Sequence, residues 1–310
     1  MPNKGRPYSV GIATPQEAFM TIEPKVWFIT GISRGFGRSL TDALVARGDT
    51  VIGTTRIGTA EVTRGKGRVD VLALDVTDAE AVKKTVRIAF QLHGRINVIV
   101  NNAGYGLLSS VEEATDDEVE QVFAVNFHGT RRVIQAALPQ LREQHSGHIV
   151  NITSMAAVAP NPGSGYYAAA KMAVEGMSQA LAREVAPLGI HVTLVEPSAF
   201  RTDFLSEDSI RLGAANLRDY AGTAYAARER LASIAGKQPG DPKRAAAAII
   251  QAVDSPKPPL HLVLGSDAYH RTRRMLDAFS AELEVWKAVT IGADYDAPRW
   301  AEPAPSATTS

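Results

Sequence analysis

Two groups of residues have types and spacings suited to chemistry. Residues 30–37 read Thr30-Gly31-Ile32-Ser33-Arg34-Gly35-Phe36-Gly37, directly after a short apolar run and before an amphipathic stretch. Glycines at these places let a backbone turn tightly and approach a diphosphate, and the N–H groups of a following helix face the anion. The spacing is Gly-x-x-x-Gly-x-Gly, and no Lys-Ser or Lys-Thr pair follows to make a P-loop. A tight strand-to-helix turn without a ligand has the same local pattern. The second group is Tyr167 and Lys171, which share one face if their segment is helical. A phenol titrates near pH 10 in water, about three units from neutrality, and a neighbouring ammonium lowers that value. The pair is expected to act as a tuned acid/base that gives a proton to a carbonyl oxygen or takes one from an alcohol. The plain alternative is a packed ring beside a snorkelling amine. Tyr166 is a competing phenol that is expected to pack or to line the cleft.

Positioning these residues requires a scaffold, and the pattern supplies one. Residues 26–30, 50–54, 69–74, 96–100, 148–153, 190–195 and 260–264 are short apolar runs that read as buried strands. Between them lie stretches with apolar spacings of three and four, such as Leu40, Leu44, Val45 and Val174, Met177, Leu181, Val185. Alternating strands and helices predict an α/β fold with an open, doubly wound parallel sheet of about seven strands, ligands lying at the carboxyl ends of the strands. Residues 203–240 break this rhythm and are expected to form a substrate lid. Their side chains Phe204, Leu205, Ile210, Leu212 and Leu217 suggest an apolar substrate. Asp241 and Pro242 restart a helix as N-cap and first residue.

The 310 residues fit one domain over 24–290 with tails at 1–23 and 291–310, and Met20 is an alternative start. Lys plus Arg and Asp plus Glu both number 33, which removes the net field that would draw the chain to nucleic acid or an anionic membrane. There is no cysteine, hence no disulfide framework and no thiol nucleophile. No apolar run approaches the roughly 18 residues of a membrane span, and the first twenty residues lack a secretory pattern. A cytoplasmic protein is expected. His128, His145 and His148 form no ligand set at metal spacing, so no catalytic metal is expected. The basic run His270 to Arg274 reads as a solvated helix face.

In order and spacing, these motifs resemble the short-chain dehydrogenase/reductase family. That family joins the glycine turn to Asn-Asn-Ala-Gly after the fourth strand, here Asn101-Asn102-Ala103-Gly104, and places a serine thirteen residues before the tyrosine, here Ser154. It also carries an asparagine in the helix after the fourth strand, matched by Asn126. The resemblance spans roughly residues 24–270 and selects Tyr167 over Tyr166. It implies a Rossmann-like domain, a nicotinamide cofactor, and hydride transfer between a carbonyl and a secondary alcohol, the small-molecule substrate. In that scheme Ser154 bonds the substrate oxygen, Tyr167 is the general acid/base, Lys171 holds the ribose hydroxyls, and Asn126 places a water linking Lys171 to solvent. Cofactor contacts are implied at Gly31, Ser33, Arg34, Gly35, Phe36 and Gly37, then at Asp75 and Val76. Asn102, Ala103 and Gly104 follow, with Tyr167, Lys171, Pro197 and Thr202 at the nicotinamide end. Asp75 has the alternative of capping the next helix with Thr77. Homo-oligomers are common among relatives and are expected here.

The second strand ends Gly53-Thr54-Thr55-Arg56, without the acid that selects NAD, and Arg56 and Arg34 can pair with a ribose phosphate. NADP(H) is therefore the expected cofactor, with NADPH preferred over NADH. Ser198 stands where the family commonly has glycine, which questions the local backbone. Two rival readings are a nucleotide-sensing binding protein of the same fold without turnover, and a sugar-nucleotide dehydratase or epimerase. The first is disfavoured by the retained Ser154, Tyr167, Lys171 and Asn126, the second by the lack of room for a larger C-terminal substrate domain.

Overall fold

Trp27, Phe28 and Ile29 are fully buried in consecutive positions, and a strand covered on both faces needs helices above and below it. The computed structural model, which describes residues 23–206 and 209–295, meets that need along the whole sheet. The first half of the chain runs β1 (Val26–Thr30), α1 (Gly35–Arg47), β2 (Thr50–Thr55), β3 (Arg68–Ala73), α2 (Ala79–His93), β4 (Val98–Asn101), β5 (Gly106–Leu108), α3 (Asp116–Phe123) and α4 (Thr130–Gln144). The second half runs β6 (Gly147–Ile152), α5 (Gly165–Val185), β7 (Ile190–Pro197), β8 (Ile210–Leu212), α6 (Ala226–Ser233), α7 (Pro242–Asp254), β9 (His261–Leu264) and α8 (Ser266–Ile291). Seven strands pair in parallel in the order β3-β2-β1-β4-β6-β7-β9. Phe28, Ile99 and Ile149 point into a core shared with α2, α4 and α5, whereas Trp27, Ile29 and Val100 point into one shared with α1 and α7. The strand order reverses between β1 and β4, which opens a crevice at their carboxyl ends.

All seven expected sheet strands form. The fourth is shifted, because the Ile96 N–H bonds the Gln144 side chain at 3.2 Å and the strand starts at Val98. The short pair β5 and β8 was not legible; these three-residue strands form a separate parallel sheet. Through it the stretch 203–240 is tied down at its beginning, and a bridge between Phe200 and Gly240 closes its end. Glu113 adds a staple, accepting from Ser110 Oγ, Tyr225 Oη and the N–H groups of Asn216 and Leu217. Those hydrogen bonds, Ser110's foremost, hold its carboxyl down to about 2. Asp241 caps α7 through the Lys243 N–H with Pro242 in the first turn, as expected. Apart from Glu23 and residues 291–295, the expected tails lie outside the described residues. Among the described residues, no helix is long and apolar enough to cross a membrane.

The sheet also buries an ionic cluster. Glu175 on α5, Glu196 on β7 and His261 on β9 bring their ligand atoms within 4.8 Å of one another, the one such His/Cys/Asp/Glu group among the described residues. His261 Nδ1 lies 2.6 Å from Glu196 Oε1 and 3.8 Å from Glu175 Oε2. The histidines weighed from sequence sit elsewhere: His128 tilts against Phe127, His145 ends α4 at φ 48, and His148 bonds Thr193. Burial pushes the Glu175 carboxyl up to about 7; the Thr153 hydroxyl bond opposes this and the Glu196 charge adds to it. Two adjacent buried carboxylates cannot both ionise cheaply, so this pair retains a proton. The folded chain then binds more protons than the unfolded chain between 4.5 and about 7, and stability falls as pH rises through that window. Glu175→Gln keeps the shape without the charge. Its melting temperature is expected to exceed wild type at about pH 8 and to match it near pH 4.5. Circular-dichroism melts at both values check this, and an equal difference at both would contradict it.

Candidate active site

Site construction begins where β1 stops. Gly31 (φ 73) turns the chain and Gly35 (φ 59) opens α1, both in the left-handed region that favours glycine. Arg34 holds the N-cap position of α1 without a side-chain cap, as do the N-cap residues of α4, α5, α6 and α8. What sets α1 apart is that its first turn lines the cleft, so its positive end faces that space on a turn that can approach an acceptor closely. A dinucleotide diphosphate fits that end of the cleft.

A cross-stitch joins β1 to β4 at the same level. Thr30 Oγ1 accepts from the N–H groups of Asn102 and Ala103, each at 3.0 Å, and Asn102 Nδ2 donates to the carbonyls of Thr30 and Gly31 at 2.9 and 2.8 Å. Gly37 is needed beside it: a Cβ there would stand 2.2 Å from the Gly31 oxygen and 2.5 Å from Asn102 Nδ2. Asn101 points the other way and donates to Asn151 on β6 at 2.8 Å.

Ser154, Tyr167 and Lys171 converge on the opposite wall. Ser154 follows β6 and caps a short turn through the Ala156 N–H. Tyr167 and Lys171 occupy one face of α5, with the Lys171 ammonium 6.0 Å from the Tyr167 ring centre and bonded to the Ile152 carbonyl at 2.8 Å. The expected lowering of the phenol is not what this geometry gives. Burial pushes Tyr167 up to about 12, with a Ser154 side-chain hydrogen bond working against it. Burial also brings Lys171 down to about 8, Glu175 one turn along opposing. Phe204 covers the phenol, ring centres 5.9 Å apart. Tyr166 donates its hydroxyl to the Val111 carbonyl instead.

Asn126 is fully buried in a π-helical turn ahead of α4. Its amide donates to the carbonyls of Tyr105 and Val122 and its oxygen accepts from the Tyr105 N–H, so it braces the segment after β4. Gly104 lies between it and the lysine, since a Cβ there would stand 2.5 Å from Asn126 Oδ1 and 3.4 Å from Lys171 Nζ.

These parts enclose a cleft of about 720 Å³. Every residue expected at the site lines it except Gly37 and Asn126, which shape the wall from behind. Arg56 is exposed at the end of β2 on that wall. Asp75 bonds Thr77 through both its N–H and hydroxyl, and Asp78 caps α2 instead. Thr202 lines the cleft while its hydroxyl accepts from the Phe204 N–H. Ser198 causes no strain: His145 is the one described non-glycine residue with positive φ, and Gly265 leaves room for the serine hydroxyl. Of the apolar side chains expected to meet substrate, Phe204, Leu205 and Ile210 line the cleft. Leu212 and Leu217 do not, and Leu231 and Ile234 take their place.

Among the polar wall residues that sequence reasoning missed, four stand out. Tyr105 and Gln238 carry buried polar atoms without partners, Arg211 stacks 5.1 Å from the Tyr105 ring, and Arg271 bonds the Ala159 carbonyl and Asn161. For Arg271 the solvated-face reading is corrected: the start of α8 packs on the loop after β6 and turns this arginine inward. Only the unusual density of arginine near the end of the domain hinted at it.

Comparison with known proteins agrees with this architecture. The sequence signature described as short chain dehydrogenase matches residues 25–211. Oxidoreductase BOA17 of Botryotinia fuckeliana is 36% identical over 272 residues, covering 86% of this chain and 98% of that protein. The 3-ketodihydrosphingosine reductase of Bacteroides thetaiotaomicron is 35% identical over 247 residues, covering 79% and 89%. A crystal structure of a short-chain dehydrogenase from Streptomyces avermitilis is similar with a TM-score of 0.80 at 40% identity, covering 89% of this chain and all of that one. Sequence and fold therefore agree that the chain belongs to the short-chain dehydrogenase family, oxidoreductases that act on CH–OH groups.

Proposed function

We propose that this protein interconverts a carbonyl and a secondary alcohol with NADP(H), using Tyr167 as the general acid/base. The observation that carries this reading is the convergence of Ser154, Tyr167 and Lys171 on one wall of a cleft whose far end is the uncapped start of α1. A nicotinamide bound there supplies or accepts the hydride. Gly31, Ser33, Gly35, Phe36 and the Asn102–Gly104 segment cradle the dinucleotide, and Asp75, Val76, Pro197 and Thr202 flank its two ends. Ser154 holds the substrate oxygen and the Tyr167 hydroxyl hands it a proton. Lys171 orients the ribose, and Asn126, packed behind Gly104, holds a water between the ammonium and solvent.

The phenol is protonated near neutrality with or without burial and so is in the donor form, although the push up to about 12 makes it a weaker acid. The names of two relatives, 3-ketodihydrosphingosine reductase and 3-oxoacyl-[acyl-carrier-protein] reductase, support the reductive direction. The substrate is a ketone with an apolar body, held by Phe204, Leu205, Ile210, Leu231 and Ile234 beneath the 203–240 lid. Tyr105, Gln238 and Arg211 supply polar contacts to it. Arg56 and Arg34 favour the 2′-phosphate of NADPH over the bare ribose of NADH, in a cytoplasmic setting.

Two measurements test this. Tyr167→Phe is expected to bind NADPH as wild type does, by tryptophan-to-nicotinamide fluorescence, and to reduce ketones from an aliphatic and aromatic panel about 10²- to 10⁴-fold more slowly; undiminished turnover would remove Tyr167 from the chemistry. Arg56→Ala is expected to weaken NADPH about tenfold at low salt, less at high salt, and to leave NADH unchanged. Equal losses for both cofactors would refute the phosphate contact.

A further inference from the structure

Among the described residues the outer part of α8 has no partner. Its first turns are anchored: Ala268 is fully buried, Arg271 bonds the loop after β6, and Thr272 Oγ1 meets the Met155 sulfur at 3.8 Å. Beyond Thr272 every described residue except Met275 is exposed. A helix standing in water at this length is marginal unless one face packs. The face available is apolar, with Leu276, Phe279, Leu283 and Trp286 exposed by 47%, 57%, 47% and 61%.

The spacing on that face is regular. Tyr269, Thr272, Leu276, Phe279, Leu283, Trp286 and Thr290 follow one another at alternating steps of three and four, the a/d seam of a two-stranded coiled coil. With Leu276 and Leu283 at a, and Phe279 and Trp286 at d, Glu282 falls at g and Lys287 at e. In a parallel pair, g of one helix faces the e position five residues later on the other. Glu282 then meets Lys287 of the partner subunit, twice by symmetry. In an antiparallel pair g faces g, and two Glu282 carboxylates would oppose each other. Among the described residues of one chain, Lys287 has an exposed contact with Glu284, at 3.6 Å, which is weakly held. From Asp277 to the end of α8 at Ile291, three acidic residues, Asp277, Glu282 and Glu284, stand against the single basic Lys287, the wrong balance for an anionic membrane surface.

We infer that a second copy of this chain covers the seam, α8 pairing with α8 in parallel through Leu276, Phe279, Leu283 and Trp286 and through Glu282 with Lys287 of the partner subunit. The homo-oligomer expected from sequence thereby acquires a surface, independent of the hydride chemistry. Because Asp267 and Arg271 at the root of α8 line the cleft, the pairing also stiffens one wall of the site.

Light scattering coupled to size exclusion on the full chain tests this, with ketone-reduction and circular-dichroism assays to show that each variant is folded. Wild type is expected at no less than twice 33.1 kDa, and Leu283→Glu at half the wild-type mass. Lys287→Glu is expected to raise the dissociation constant about tenfold by placing like charges across the seam, and the double variant Glu282→Lys with Lys287→Glu to restore it. Wild type of single-chain mass, or a Leu283→Glu protein of unchanged mass, would overturn the inference. So would Glu282→Gln alone tightening the assembly, since removing the charge relieves the Glu282–Glu282 repulsion of an antiparallel pair but loses the Glu282 contact with Lys287 of the partner subunit in a parallel one. A monomeric wild type that pelleted with phosphatidylserine vesicles would assign the seam to a membrane instead.

Discussion

The four hydrogen bonds between Thr30–Gly31 and the Asn102–Ala103 segment hold the molecule's cleft in shape. They join the carboxyl ends of β1 and β4 where the sheet order reverses, and they use the Asn102 side-chain amide to bind two carbonyls of the turning chain. Each such bond is worth only about 1 kcal/mol net, but an unpaired carbonyl in this partly buried place would cost more than the bond gains. The glycine pattern follows from it. Gly37 has to lack a side chain because the Gly31 oxygen and the Asn102 amide already occupy that space. With the turn fixed, α1 is aimed at the cleft and its first N–H groups reach any anion bound there.

The other wall is governed by desolvation. α5 places Tyr167, Lys171 and Glu175 on one buried face, and burial raises the phenol and the carboxyl while lowering the ammonium. Each shift favours the neutral form. The face is therefore stored with its protons arranged as a donor phenol, an amine near its titration point, and a shared carboxyl pair behind it reaching His261 at the surface. Phe204 contributes to this by covering the Tyr167 ring, so the position of the 203–240 stretch and the acidity of the phenol are physically linked.

Much of this was legible in the sequence because it is local. The glycine turn, the i to i+4 spacing of Tyr167 and Lys171, the seven buried strands and the Asp241–Pro242 helix start each depend on a few neighbouring residues. The rest depends on distant contacts. Arg271 turns inward only because its loop partner, 112 residues earlier, lies beside it, and Glu113 staples the lid through Tyr225 at the same separation. β5 and β8 are too short for a pattern, and Leu212, half exposed, lies in that pair. The raised Tyr167 could not be anticipated from an i to i+4 amine, since the ammonium is held by the Ile152 carbonyl while the ring is closed off from water. Ser198 is benign because Gly265, on a different strand end, gives up the space.

The central claim is that one dinucleotide spans the cleft from the start of α1 to the Ser154–Tyr167–Lys171 wall. A crystal structure of the protein grown with NADP⁺ tests it most directly. The account predicts the diphosphate on the first-turn N–H groups of α1, the 2′-phosphate beside Arg56, and the nicotinamide between Thr202 and Tyr167. A nicotinamide directed away from Tyr167, or a dinucleotide bound outside this cleft, would contradict it.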